Sequence, residues 1–185
     1  LIFIMMLVGG ADIMQPDTSI IFDWGGNYRP ATLNGDWWRL ITSGFIHIGI
    51  IHLLFNMYAL VQIGTMLEGL IGSTRFAVAY LLTCVTSGLL SLMWHDDVVS
   101  AGASGAIFGM FGVYIALLTT NLIARNIRRS VLSSMLMFVA YNLLFGVAGN
   151  IDNAGHIGGL VGGLLIGYAF VSALRKPANR QLNGI

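Results

Sequence analysis

Six apolar segments separated by polar connections make up most of this chain, at residues 1–11, 46–67, 76–94, 104–122, 131–149 and 154–174. An α-helix needs about 20 apolar residues to cross a bilayer, and every segment except the first approaches that length. The pattern predicts an all-α, polytopic membrane protein with six transmembrane helices. Because the chain begins inside an apolar run that has no basic flank or cleavage site, we expect an incomplete first helix rather than a signal peptide.

The connection between the first two helices, residues 12–45, is much longer than the others. It combines prolines and aspartates with the aromatic residues Phe22, Trp24, Tyr28, Trp37 and Trp38. Amphipathic aromatic rings concentrate at the membrane–water interface. We therefore expect a structured interfacial loop, within a single membrane domain that comprises residues 1–185 and ends in a cytoplasmic tail at residues 175–185.

The composition excludes a soluble protein. Of the 185 residues, 56% are hydrophobic and only 9% are charged, and the mean hydropathy is +0.80. A soluble domain usually has about 25% charged residues. The single cysteine, Cys84, cannot form a disulfide within the chain.

The distribution of charge predicts an orientation. With the amino terminus inside, seven basic residues lie in the inner connections and tail and two in the outer connections: Arg75, Arg125, Arg128, Arg129, Arg175, Lys176 and Arg180 against Arg29 and Arg39. Basic residues concentrate on the cytoplasmic side, so both ends of the chain are predicted to be cytoplasmic. The second, fourth and sixth helices then run inward, which places His52, Asn56, Ser104 and His156 in the outer half of the membrane.

Small residues recur along the fourth and sixth helices, at Gly105, Gly109 and Gly112 and at Gly155, Gly159, Gly163 and Gly167. Such stripes let transmembrane helices approach one another closely. If the two stripes face each other, Ser104 and His156 come within hydrogen-bond distance near the outer ends of their helices. The simpler interpretation is that the glycines serve helix packing alone.

The four polar residues within the predicted helices suit acyl transfer. A serine becomes a nucleophile when a base removes its proton, and histidine is the usual base near neutral pH, so Ser104 and His156 form the natural pair. His52 and Asn56 are four residues apart and share a helix face. With the backbone N–H of Ser104 they could donate hydrogen bonds to an oxyanion. Alternatively, the His–Asn pair joins two helices through a hydrogen bond.

Three neighbouring side chains need separate interpretations. Phe108, one turn after the serine, either packs against the imidazole of His156 or is an ordinary core residue. Asp152, four residues before that histidine, is either a third catalytic residue or the cap of the following helix, and a loop aspartate is more often a cap. His47 lies about 140° from His52 around an ideal helix, so the two do not share a metal-binding face. We interpret His47 as an interfacial or loop-anchoring residue.

The sequence lacks the residues of other hydrolytic mechanisms. No histidine lies in the H-E-x-x-H context of a zinc protease, every aspartate lies outside the predicted helices, and Ala106 occupies the last position of a G-x-S-x-G elbow. A transporter or channel would need charged residues within its spans or an inverted repeat, and neither is present. We expect no metal, no cofactor and no nucleic-acid partner.

These motifs, in this order, resemble those of the rhomboid intramembrane serine proteases, and they cover essentially the whole chain. The matching positions are Trp38-Arg39, His47, His52-x-x-x-Asn56, Glu68 with Gly72, Gly102-x-Ser104-Gly105, and His156 followed by Gly159 and Gly163. The family often has Tyr at the position of Phe108, and Phe keeps the ring.

The resemblance implies a six-helix core, a Ser104–His156 dyad without a catalytic acid, and an oxyanion site formed by His52, Asn56 and the backbone N–H of Ser104. Gly102 and Phe108 would support this site. The resemblance further implies that Trp38 and Arg39 are structural parts of the first loop and that Glu68 helps to tie the inner helix ends together.

The implied function is a serine endopeptidase that cleaves transmembrane segments of single-span membrane proteins near the outer leaflet. Its substrates would have helices that unwind easily and a small residue at the cut. The expected location is the lipid bilayer of the bacterial inner (plasma) membrane, with the site open to the outside. We expect residues 149–153 and the fifth helix to move when substrate enters. The alternative is a catalytically silent rhomboid-like protein that binds membrane helices, although such proteins typically lose the nucleophile or the base.

Overall fold

The computed structural model describes residues 1–148 and 151–175. The helices are α1 (Ile2–Val8), α2 (Thr18–Asp23), α3 (Arg29–Leu33), α4 (Arg39–Thr42), α5 (Ile50–Ile71), α6 (Ser73–Trp94), α7 (Ser104–Leu118), α8 (Arg125–Ala148) and α9 (Asn153–Arg175). A 3-10 turn follows α4 at Ser43–Phe45. In this part of the chain the only extended pairing joins Asn27 to Ser100. The all-α prediction is confirmed, and the predicted tail beyond Arg175 lies outside the described residues.

Four helices, α5, α6, α8 and α9, are long and apolar enough to cross a membrane. The fourth predicted segment forms α7, which is apolar but only 15 residues long. The first predicted segment forms α1, which has seven residues. Each of the six predicted segments therefore contains one helix, and the polytopic architecture is confirmed.

The helix α5 begins later than predicted, at Ile50 rather than at residue 46. The chain turns at Gly49, whose φ is +88°, and the N–H of Ile50 donates to the carbonyl of Ile13 at 2.8 Å. His47 consequently lies before the helix, and the predicted angle of 140° between it and His52 is wrong. The two rings in fact contact each other, with centroids 5.5 Å apart.

The helix α8 begins earlier than predicted, at Arg125 rather than at residue 131. Three arginines that we expected in the preceding connection, Arg125, Arg128 and Arg129, therefore lie in its first two turns. The guanidinium of Arg128 donates to the carbonyl of Thr120 at 2.7 Å. This hydrogen bond attaches the first turns of α8 to the connection that follows α7.

The helix α7 forms the centre of the molecule. All of its residues from 105 to 118 are buried, and it packs most extensively against α9 and α6. Its approach to α9 leaves no room for side chains: a Cβ at Gly159 would collide with the carbonyl oxygen of Gly105, and one at Gly163 with that of Gly109. The two glycine stripes therefore face each other, which brings together the N-terminal ends of both helices, where Ser104 and His156 lie.

Residues 12–45, termed loop 1 from here on, are organised around one buried guanidinium. Arg39 is 5% exposed and donates to the carboxylate of Asp36 at 2.9 Å and to the carbonyls of Phe22 and Gly26 at 2.6 and 3.0 Å. It also lies 3.9 Å from the ring centre of Phe22 and 4.6 Å from that of Trp38. These contacts satisfy a charge that would otherwise be costly to bury.

Candidate active site

The two residues proposed as nucleophile and base are brought together by helix ends. Ser104 is the first residue of α7, and His156 lies in the first turn of α9. Because the glycine stripes hold these helices in backbone contact, Ser104 Oγ lies 2.9 Å from His156 Nε2. This distance corresponds to a hydrogen bond, and its donor is the hydroxyl when Nε2 is unprotonated.

The imidazole of His156 is held by packing. It stacks on the ring of Phe108 with centroids 4.2 Å apart and planes 5° from parallel, and both side chains are buried. Stacking fixes the plane of the imidazole, so Nε2 stays directed at Ser104. The other nitrogen, Nδ1, has no hydrogen-bond partner among the residues that the structure describes.

The carboxylate of Asp152 caps α9. Its Oδ1 accepts a hydrogen bond from the N–H of Gly155 at 2.8 Å and lies 3.5 Å from Nε2 of His95. The backbone carbonyl of Asp152 accepts from the N–H of His156 at 3.0 Å. The structure therefore favours the interpretation of Asp152 as a helix cap over that of a third catalytic residue.

On the opposite side of Ser104, His52 presents a ring nitrogen to the same space. Its Nδ1 accepts a hydrogen bond from the backbone N–H of Ile48 at 3.2 Å, so in the neutral ring Nε2 bears the proton. That nitrogen abuts Gly102, where φ is +136° and an added Cβ would lie 2.9 Å from Nε2 and 2.6 Å from Cε1. The position requires glycine for both reasons. The ring Nε2–H of His52 faces the backbone just before Ser104.

Asn56 and Glu68 have different surroundings. The amide of Asn56 is buried and donates to the backbone carbonyl of His52 at 2.8 Å, and Asn56 does not line the cavity described below. The side chain of Glu68 is exposed near the C-terminal end of α5, and its carboxylate forms no ion pair with any described residue. Only its backbone carbonyl closes the helix, through the N–H of Gly72 at 2.8 Å.

His47 supports His52 from outside the spanning helices. Its side chain is 3% exposed, and its ring meets that of His52 edge-on, with an interplanar angle of 62°. Burial, together with the nearby imidazole of His52, lowers the pKa of His47 to about 4. His47 is therefore neutral at physiological pH.

A cavity of about 800 Å³ adjoins the serine. His52, Gly102, Ser104 and His156 line it, and small residues of α6 such as Ser87 and Gly88 form part of its wall. Within the described residues, no three His, Cys, Asp or Glu side chains are grouped to bind a metal ion.

Two attachments of the segment that precedes Ser104 were missed by sequence reasoning. The N–H of Gly102 donates to the carbonyl of Ser43 at 2.9 Å, and Asn27 exchanges two backbone hydrogen bonds with Ser100, each 2.8 Å long. Backbone bonds between segments so far apart in sequence leave no periodic pattern. The only available signal was a polar Asn27 directly after two glycines.

Several known proteins are similar to this chain in sequence. The family model described as Rhomboid domain matches residues 34–173. The Rhomboid protease GluP of Bacillus subtilis (strain 168) is 38% identical over 172 residues, which are 91% of this chain and 32% of that protein. The Putative rhomboid protease YdcA of the same organism is 34% identical over 147 residues, 78% of this chain and 72% of that protein. The Arabidopsis thaliana protein RHOMBOID-like protein 6, mitochondrial, is 34% identical over 156 residues, 84% of this chain and 51% of that protein.

The helices and the site define a polytopic, all-α integral membrane protein with a hydrogen-bonded serine and histidine at the ends of two closely packed helices. The chain belongs to the rhomboid family. It spans about a third of the length of GluP and about half that of RHOMBOID-like protein 6.

Proposed function

We propose that this protein is an intramembrane serine endopeptidase that cleaves transmembrane segments of single-span membrane proteins near the outer leaflet. The observation that carries the proposal is the 2.9 Å contact between Ser104 Oγ and His156 Nε2, in a helix bundle suited to a membrane. Two relatives named as rhomboid proteases support the same assignment.

In the proposed reaction, Nε2 of His156 accepts the hydroxyl proton of Ser104 while Oγ attacks the carbonyl carbon of the scissile peptide bond. The resulting tetrahedral oxyanion collapses, the C–N bond breaks, and the imidazolium gives its proton to the departing amine. Water then attacks the acyl ester as His156 accepts one of its protons. The carboxylic product leaves, and the proton returns to Oγ.

Donors for the oxyanion lie on the opposite side of the serine. The N–H of Ser104 has no intrahelical partner, because it is the first of α7. The protonated Nε2 of His52 is a second donor. The Asn56 amide keeps one N–H beyond its bond to the His52 carbonyl, but Asn56 does not line the cavity, so in this geometry the proposed donors are the Ser104 N–H and His52. A single donor of this kind is worth about 10²- to 10³-fold in rate. Gly102 leaves the space that this arrangement needs.

The surroundings of the site suggest its substrates and orientation. Small wall residues, Ser87 and Gly88 among them, favour a small side chain at the cut. Arg75 and Arg125 lie at the helix ends opposite the site, which favours a site that faces outward and cytoplasmic chain ends. We infer that the protein works in a bacterial inner (plasma) membrane.

We also propose that substrate enters beside α8. Only 11% of its spanning window is buried, against 22–39% for the other three long helices. Its outer end is attached to α9 through the Asn153 amide, which donates to the Leu143 carbonyl at 3.0 Å. Of the segment expected to move, Gly149 and Asn150 lie outside the described residues. A cross-link between α8 and α5 should stop cleavage of a membrane substrate, and undiminished cleavage would disprove this route.

The experiment that tests the proposed activity is labelling of the detergent-purified protein with a fluorophosphonate probe, alongside Ser104→Ala and His156→Ala. We expect the wild type to be labelled, and both variants to lose at least about 10³-fold in labelling rate, because the two residues act as a unit. Folding is checked by circular dichroism and thermal unfolding. A folded wild type that neither reacts with the probe nor cleaves a single-span reporter would instead support a silent helix-binding protein.

A further inference from the structure

Asn27 in loop 1 is fully buried, with 0% exposure, and its side chain reaches two other elements. Its Nδ2 donates to the carbonyl of Gly88 in α6 at 3.2 Å. Its Oδ1 accepts a hydrogen bond from the hydroxyl of Thr32 at 2.9 Å. A buried amide with partners on both of its ends is fixed in orientation, and losing either partner is costly.

The backbone of the same residue holds the segment that leads to Ser104. The N–H of Asn27 donates to the carbonyl of Ser100, and the N–H of Ser100 donates to the carbonyl of Asn27, each at 2.8 Å. Two residues further on, the N–H of Gly102 donates to the carbonyl of Ser43, also in loop 1. Residues 100–102 are therefore attached to loop 1 at both ends.

The serine–histidine pair is held in place by different contacts. The pair depends on α7 and α9, whose glycines are in direct backbone contact. Residues 100–102 instead carry the backbone of Gly102, which lies against Nε2 of His52, and they lead through Ala103 to the N–H of Ser104. Both groups belong to the oxyanion side of the site.

We infer that Asn27 is a positioning residue for the oxyanion side: it anchors residues 100–102 to α6 and so sets the donors around Ser104 without touching substrate. The inference rests on the proposed protease function. It predicts that loss of the Asn27 side chain lowers kcat and leaves KM unchanged, because the transition state, and not the bound peptide, uses these donors.

The test compares Asn27→Ala with the control Thr42→Val in the full chain. The Thr42 hydroxyl also donates to a loop 1 carbonyl, that of Gly25, at 2.8 Å, but this bond does not involve residues 100–102. A single-span reporter with alanine at the cut gives kcat and KM, and thermal unfolding gives stability. We expect both variants to unfold at a lower temperature. Only Asn27→Ala should lose kcat, by about 10- to 100-fold, the cost of a small misplacement of catalytic groups.

A second variant, Thr32→Val, removes only the bond to Asn27 Oδ1 and should lower kcat several-fold with the same unchanged KM. If Asn27→Ala keeps the kcat of the wild type, or loses activity only in proportion to folded protein as Thr42→Val does, the inference is wrong. If Asn27→Ala does not fold, Thr32→Val decides: a kcat equal to that of Thr42→Val overturns the inference. A wild type that does not react with a fluorophosphonate rejects the protease function itself, and this inference with it.

Discussion

The two sides of the candidate site are held by different forces. The serine and histidine stand on two helix ends whose backbones touch through facing glycines, so their geometry follows from helix packing. On the other side, Gly102 and His52 are placed by hydrogen bonds from loop segments, namely from Gly102 to the carbonyl of Ser43 and from Ile48 to the imidazole of His52.

The difference predicts two kinds of failure. Helix packing within a membrane is set by shape, and a disturbed helix contact disturbs the whole bundle. Hydrogen bonds from a loop affect a few backbone groups, and their loss can leave the bundle intact. Changes at the helix contact that sets Ser104 and His156, termed the packed side, should therefore reduce the amount of folded protein. Changes at the hydrogen bonds that place Gly102 and His52, termed the bonded side, should lower kcat in a protein that still folds.

The largest expected effect is that of Gly159→Ala, on the packed side. Its Cβ would collide with the carbonyl oxygen of Gly105, and neither backbone can move without separating α7 from α9. We expect a loss of about 3 kcal/mol or more in the free energy of unfolding, together with the loss of fluorophosphonate labelling. Thermal unfolding in detergent measures the first, and gel fluorescence the second.

The control for this prediction is Gly69→Ala, because Gly69 also lies within a long helix but has no neighbour within 4 Å of an added Cβ. We expect it to be neutral or slightly stabilising, since Ala is favoured over Gly in helices by roughly 0.5–1 kcal/mol. Equal stability of the Gly159→Ala and Gly69→Ala variants would refute the contact between the stripes.

Gly102→Ala should have the next largest effect, and on rate rather than folding. The added methyl would displace the imidazole of His52, which lies 2.6 Å away at Cε1, while the serine–histidine hydrogen bond on the other side stays. We expect kcat to fall by about 10²- to 10³-fold, as for the loss of one oxyanion donor, with the protein still folded. Steady-state cleavage of a single-span reporter measures it.

The control for the effect of backbone strain alone is Gly35→Ala. Gly35 has a similar φ, +125°, but nothing lies within 4 Å of its added Cβ. Both variants should lose about 1–3 kcal/mol of stability from the strained backbone, and only Gly102→Ala should lose kcat. If the two variants kept equal kcat, the proximity of His52 to Gly102 would have no catalytic meaning.

The packed side could be predicted from the sequence because its determinants are periodic. Glycines every four residues in the sixth segment and a serine at the head of the fourth are sufficient to suggest that Ser104 meets His156, and the structure places them 2.9 Å apart. The helix cap at Asp152 was also among the interpretations that the sequence allowed, because local capping rules involve only neighbouring residues.

The bonded side could not be predicted in the same way. The predicted position of His47 was wrong because the predicted helix ran through Gly49, where the backbone in fact turns. The attachments of residues 100–102 to loop 1 join groups that are 59 and 73 positions apart by backbone bonds, which nearly any residue type can make. The sequence predicted that Ser104 and His156 come together but not which loops position the backbone beside them.

A smaller effect is expected from Phe108→Leu, which removes the ring stacked on His156 but keeps an apolar side chain. Aromatic stacking is worth about 0.5–1.5 kcal/mol, so we expect the labelling rate to fall by roughly 2- to 10-fold, and Phe108→Tyr to retain it. The control is Phe111→Leu, which loses a similar stack on Phe138, with centroids 4.7 Å apart, and neither of these residues lines the cavity. A labelling rate unchanged in Phe108→Leu would show that the imidazole needs no ring to hold it.

The smallest effect concerns pH and belongs to the bonded side. The pKa of His47 is lowered by burial to about 4, below the roughly 6.5 of an exposed histidine. Between these two values the unfolded chain binds more protons at this residue than the folded one, so stability falls as the pH falls. From pH 7 to 5.5 the wild type should lose about 1 kcal/mol more than His47→Phe, a variant that keeps a ring beside His52 but cannot titrate.

Thermal unfolding of both proteins across this pH range measures the difference, and from pH 7 to 9 their curves should run parallel. His52 is the titratable group that the ring of His47 meets, and it is present in both proteins, so its own titration largely cancels in the comparison. Parallel curves below pH 7 as well would mean that protonated His47 is accommodated in the folded protein. In that case the support of His52 by a neutral, buried neighbour would have to be abandoned, and the oxyanion side would depend on its backbone hydrogen bonds alone.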